Sequence, residues 1–224
     1  MPVLTAKHID ERLKKTIDEP GSLVITPLLE PTRVLDNDSV DLRLGTFFLM
    51  PQTPPEPFLD PTDSRAAKRS HMRIHKPLGD YLVVPAHQTV LGATLEFIKL
   101  PNDLCGQILT KSSVARTFLV IETAPWIHPL YRGCLTLEIA NVSNTPILLY
   151  PGFPIGQLIL MELDEPVDEK QRLTSTYVGP IEPEAPDLKD PKEVLRRIGV
   201  EEYRDPHKPT WQPTKPLAET FHSR

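Results

Sequence analysis

Twenty-six prolines in 224 residues set the first limit on what this chain can become. A proline inside a helix removes a hydrogen bond and clashes with the preceding turn, so prolines at this density cut helical patterns into short pieces. Strands accept proline at their edges and in turns. The spacing therefore argues against a helical fold and predicts many short strands.

The apolar segments agree. Leu4 to Thr16 predicts one short amphipathic helix, capped by Thr5, with Ile9, Leu13 and Ile17 on one face and Pro20-Gly21 as its stop. Asp38 to Gly45 alternates, Val40, Leu42 and Leu44 on one face and Ser39, Asp41 and Arg43 on the other, as a half-buried strand does. Further strands are predicted at Ser22–Pro27, Tyr81–Pro85, Val90–Leu100, Cys105–Leu109, Phe118–Glu122, Leu135–Asn141, Ile147–Tyr150 and Ile155–Glu162. Pro51 to Arg73, rich in Pro, Asp and Arg, reads as a long loop. The result is a mainly β chain, a sandwich or barrel, with no internal repeat. After Glu165 the apolar residues thin out, which divides the chain into a β domain over 1–165 and a Pro-rich extension over 166–224. That extension holds one predicted short helix, Pro191 to Ile198, and ends in a patternless, mobile tail from Tyr203.

A net charge of −5 and a pI near 5.8 give no basis for bulk nucleic-acid or membrane-surface binding, although a local basic pocket remains compatible with them. No apolar run reaches the roughly 20 residues of a membrane span, and no signal-peptide pattern opens the chain. Cys105 and Cys134 stand alone, as expected of a protein in a reducing cytoplasm. There is no P-loop, no GxGxxG and no H-x-E…P-C-x-x-C zinc signature, so zinc chemistry is not expected. His71 and His75 have H-x3-H spacing but no third ligand nearby, and read as solvated surface histidines.

The chemistry concentrates between Lys111 and Gln157. In Lys111-Ser-Ser-Val-Ala-Arg116, hydroxyls and a helix start lie between two cations. This pattern suits a phosphate, and equally a structural cap. Glu138 lies in Leu135-Thr-Leu-Glu-Ile139, with Thr136 on its face and the leucines on the other. An enclosed carboxylate there would need a partner, and Arg116 is the expected one. Such a pair would prepare Glu138 as a general base.

Taken together, Ser39-Val-Asp-Leu-Arg-Leu-Gly45, Lys111–Arg116, Thr123-Ala124, Gly133–Glu138 and Pro151-Gly-Phe-Pro-Ile-Gly-Gln157 resemble the dCTP deaminase branch of the dUTPase superfamily. The resemblance implies a dUTPase-like distorted β-barrel or jelly roll that forms a homotrimer with active sites between subunits. It implies zinc-free hydrolytic deamination of dCTP to dUTP and ammonia, with Mg2+ carried on the triphosphate. Glu138 would be the general base, Ser112 and the Ala124 carbonyl would hold the water, and Arg116 would lie beside the glutamate. Lys111, Ser113, Ala115, His128, Thr136, Leu137 and Tyr177 would complete the nucleotide site. Three positions depart from the pattern: Lys111 stands for an arginine, Trp126 for another arginine, and His128 for the aspartate that faces the sugar 3′-hydroxyl. The indole of Trp126 either stacks on a base or fills space, and filling space is the simpler expectation. A nucleotide-binding or regulatory homologue and a dUTP diphosphatase stay open as alternatives.

Overall fold

Strand-forming residues alternate through most of the chain, and the computed structural model pairs them antiparallel throughout. It describes residues 2–29, 35–53, 59–60, 63–122, 125–168, 179–186 and 191–199. Among these lie, in chain order, α1 (Ala6–Leu13), β1 (Val24–Thr26), β2 (Leu35–Asp36), β3 (Ser39–Arg43), β4 (Phe47–Pro51), α2 (Ser64–Arg69) and β5 (His71–His75). There follow β6 (Leu82–Val84), β7 (Thr89–Lys99), β8 (Leu104–Thr110), α3 (Ser112–Ala115), β9 (Leu119–Ile121) and β10 (Trp126–Ile127). The series closes with β11 (Arg132–Asn141), β12 (Ile147–Leu149), β13 (Pro154–Glu162) and α4 (Pro191–Arg197).

One sheet runs β5-β4-β7-β11-β9, with β1 also on β7; a second runs β10-β8-β13-β3-β2; β12 and β6 form a small third. This is a jelly-roll-like arrangement of mainly β structure rather than a closed barrel. The two large sheets enclose one core, where Leu42, Leu44, Phe48, Ile98, Leu137, Ile139, Leu158 and Leu160 are all but inaccessible. Gly45 packs directly against β7: its N–H donates to the Ala93 carbonyl at 2.7 Å, and a Cβ there would lie 2.9 Å from that oxygen. Any side chain would force the sheets apart at this point.

The structure corrects several expectations. The loop expected over 51–73 contains α2 and the start of β5, because Phe47–Pro51 offers an open edge that His71–His75 pairs with residue by residue. Ile17 is 59% exposed, since α1 ends at Leu13 and leaves Ile17 beyond its buried face. β3 is enclosed on both faces. Arg43 is only 8% exposed, and its guanidinium meets the fully buried Glu96 at 3.2 Å while its own N–H donates to the same carboxylate at 2.8 Å. A charge pair replaces the solvent that the alternation predicted.

Two compact units divide the chain, Met1–Asp187 and Leu188–Arg224. The first extends past the 165 boundary read from composition because residues 179–186 hydrogen-bond to β11. The second contains α4 over the predicted helix. The tail from Tyr203 and the loop residues 54–58 lie outside the described residues.

Candidate active site

β11 positions Glu138 by simple alternation. Leu135, Leu137 and Ile139 face the core, so Thr136 and Glu138 must face the other way. That face opens on a cavity of about 420 Å³. β10 supplies Trp126 and Ile127 to its wall, followed by His128; β5 supplies His71; residues 179–186 supply Pro180, Glu184 and Pro186. Burial raises the Glu138 carboxyl above its ordinary range, and the neighbouring Glu122 carboxylate raises it further. The Glu122 N–H donates to the Glu138 carbonyl at 2.8 Å, which fixes the two residues side by side. A carboxyl that holds its proton more readily than usual is suited to taking one from water and returning it to a base.

Arg116 is not its partner within the chain. The guanidinium is exposed, and among the described residues no cation pairs with Glu138. Strand register explains why. β9 places Leu119 opposite Asn141 and Ile121 opposite Ile139, so Glu122 is level with Glu138. Each strand residue advances about 3.3 Å, which puts Leu119, the start of β9, about 10 Å along the sheet from Glu138, and Arg116 lies before that point in the chain.

α3 instead lines a different cavity, of about 460 Å³, with Lys111, Ser113 and Val114 facing Tyr150 and Phe153. Lys111 Nζ lies 2.5 Å from both carboxylate oxygens of Asp41 on β3, so its charge is already matched. Among the described residues nothing hydrogen-bonds the exposed Ser112 and Ser113 hydroxyls, and α3 has no side-chain cap. Ala115 is exposed at the end of the helix. Of the proposed nucleotide contacts, His128, Thr136 and Glu138 share the first cavity. Leu137 is fully buried, which leaves only its backbone to meet a ligand. Ala124 and Tyr177 lie outside the described residues.

Three cavity residues escaped sequence reasoning. His71 was read as a surface residue, yet its Nδ1 is 2.7 Å from the Ala67 carbonyl and the ring lines the cavity. Tyr131 donates its hydroxyl to the Cys134 carbonyl at 2.8 Å, and burial pushes its phenol well above the ordinary tyrosine range. Glu184 arrives from a proline-rich segment with no periodicity to announce it. Trp126, expected to fill space, remains 41% exposed and offers the cavity a flat aromatic face.

A further cavity, of about 770 Å³, lies beside α1. Its Arg12 is spent on Asp103 at 2.7 Å and Glu162 at 2.8 Å. Among the described residues no three His, Cys, Asp or Glu side chains gather as a metal site, and no helix is long and apolar enough to cross a membrane.

The family model described as dCTP deaminase-like matches residues 3–163. The dUMP-forming dCTP deaminase of Dictyoglomus thermophilum is 35% identical over 161 residues, 71% of this chain and 81% of that protein. Another dUMP-forming dCTP deaminase, from Methanothermobacter thermautotrophicus, is 31% identical over 189 residues, 83% of this chain and 95% of its own. In three dimensions the chain superposes on the 2′-deoxycytidine 5′-triphosphate deaminase of Agrobacterium tumefaciens with a TM-score of 0.54 and 21% identity. That match covers 70% of this chain and 46% of the crystallised one, and it supports the fold. With its Glu138 strand, its Lys111–Arg116 turn and its jelly-roll core all inside the matched region, the chain belongs to the dCTP deaminase-like family.

Proposed function

We propose that the protein is a hydrolase that deaminates dCTP to dUTP and ammonia. The observation that carries this reading is Glu138, held in a cavity by a strand whose other face is core, with its proton affinity raised by burial. Glu138 takes a proton from water, and the hydroxide adds to C4 of the cytosine ring. The same carboxyl then returns the proton to N3; the C4 hydroxyl gives up its proton, which passes to the amine, and as the C4=O bond forms the C4–N bond breaks and ammonia leaves. The reaction consumes one water and needs no redox partner. Trp126 lines the same cavity, where its indole would stack on the base.

The separation of α3 from Glu138 supports an assembly in which one subunit's Ser112 and Arg116 complete another subunit's cavity, a homotrimer by this reading. The triphosphate would then meet the Lys111-Ser112-Ser113 turn, where the one lysine is already paired with Asp41 and leaves phosphate charge for Mg2+ to match. Bound there, the ion would neutralise phosphate charge, and the protein's donor set of hydroxyls and one lysine fits an ion held by the nucleotide rather than by a carboxylate cage.

A second reading, deamination with cleavage to dUMP, is favoured by the dUMP-forming names of the two relatives above. One experiment separates the readings. Purified protein is incubated with dCTP, CTP, dCMP and dUTP, and ammonia, pyrophosphate and nucleotides are resolved. Ammonia from dCTP, lost in Glu138→Gln, supports deamination; pyrophosphate appearing with it selects the dUMP product. Ammonia release that survives Glu138→Gln would sink the mechanism.

A further inference from the structure

The segment 179–186 is fastened to the sheet at four points. The Gly179 N–H donates to the Arg132 carbonyl at 2.9 Å, and the Cys134 N–H to the Pro180 carbonyl at 2.6 Å. Arg73 on β5 grips Glu182 through two bonds of 2.8 Å. The Glu184 N–H reaches Thr136 Oγ1 at 3.3 Å. Pro180 and Pro183 are buried beneath it.

The last bond sets the register. Thr136 and Glu138 are successive residues on one face of β11, about 7 Å apart along the strand. Glu184 is therefore held one position from Glu138, and both carboxylates line one cavity.

Glu184 is also left without a partner. Its Oε2 is shielded from solvent and has no hydrogen bond among the described residues, and no cation there pairs with it. The adjacent phenol of Tyr131 already donates its hydrogen bond to the Cys134 carbonyl. Burial accordingly raises the Glu184 carboxyl. A desolvated carboxylate beside the reacting group is costly in the empty protein, and a ligand that brings N–H donors relieves that cost.

We propose that Glu184 is a specificity-determining residue that accepts a hydrogen bond from the exocyclic amine of the cytosine base and turns away the keto oxygen of uracil. The inference rests on the deaminase reading. An ionised carboxylate only accepts hydrogen bonds. The cytosine amine offers two donors, whereas the product's O4 is an acceptor, and the two acceptors repel. Substrate is held and product is released by the same group. Sites built around a substrate N–H discriminate strongly against analogues that lack it.

The test measures binding of dCTP and dUTP by calorimetry, with Glu138→Gln present throughout to prevent turnover. With Glu184 intact, dCTP is expected to bind on the order of 10-fold or more tighter than dUTP. Adding Glu184→Gln, whose amide both donates and accepts, should bring the two affinities close together by weakening dCTP and strengthening dUTP. Glu182→Ala serves as the control for a loosened segment, and should weaken both nucleotides alike and preserve their ratio. A ratio unchanged by Glu184→Gln, including equal weakening of both nucleotides through the sugar or phosphates, overturns the proposal and leaves the deaminase reading intact. Failure of either nucleotide to bind, with no ammonia released by the wild-type protein from dCTP, brings down the deaminase reading itself.

Discussion

Glu138 is tuned by two neighbours of opposite kind. Apolar burial withdraws water from its carboxylate, and Glu122, just past the end of β9 and hydrogen-bonded to the Glu138 carbonyl, adds a like charge. Both favour the protonated form, so the base becomes available only above the ordinary carboxylate range. Activity that needs the ionised base should therefore rise with pH along an acidic limb displaced upward. Glu122→Gln removes the like charge and lowers the Glu138 pKa, so the base survives to lower pH. The expected result is an acidic limb of kcat/KM against pH that moves to lower pH in Glu122→Gln, with the plateau nearly unchanged. Glu122 is exposed and far from the core, so folding is not at stake. A limb that stays in place, or moves upward, would show that Glu122 does not act on the base.

At the scale of elements, β11 and the segment 179–186 form one working unit, and Gly133 is the hinge pin between them. Its φ of +140° lies where only glycine is comfortable. A Cβ at 133 would also meet Pro180 Cδ at 2.5 Å. Gly133→Ala should push the segment off the strand, break the Cys134–Pro180 hydrogen bond and raise KM several-fold while disturbing the core little. Hydrogen exchange checks this directly: the Cys134 amide is expected to lose protection while the Leu137 and Ile139 amides keep theirs. The same elements show what could be read from sequence. Alternation in Leu135–Ile139 was enough to put Glu138 opposite the core. It could not place Arg116, because that depends on how β9 pairs with β11, 20 or so residues away along the chain. Phe47-Phe48-Leu49-Met50 is apolar without alternation, so β4 was invisible, and with it the edge that orders β5 and brings His71 to the cavity. The Arg43–Glu96 pair joins residues 53 apart, and a strand pattern alone reads Arg43 as solvent-facing. Residues 179–186 carry no periodicity either: they are proline-rich and polar, and they hold their place through hydrogen bonds to β11 together with the buried rings of Pro180 and Pro183.

For the molecule as a whole, the two groups that the proposed reading joins in one site lie against two different cavities of the chain. Glu138 lines one cavity, and the Lys111–Arg116 turn borders another. Symmetric assembly solves this economically, since each copy can lend its turn to a neighbour and borrow a glutamate in exchange. Exposed Phe153, Tyr150 and Leu148 beside the turn give such an interface its apolar area. Subunit mixing tests the arrangement without needing the assembled structure. Glu138→Gln and Arg116→Ala should each be inactive alone. Unfolded, mixed in equal amounts and refolded together, they should regain activity, because a site that takes Arg116 from the first variant and Glu138 from the second is intact. Random mixing makes about a quarter of all sites of that kind, so the mixture should recover about a quarter of wild-type activity. If each site were built within one chain, every site would carry one lesion and the mixture would stay dead. Recovered activity that disappears on dilution below the assembly concentration would tie it to the interface and not to either variant alone.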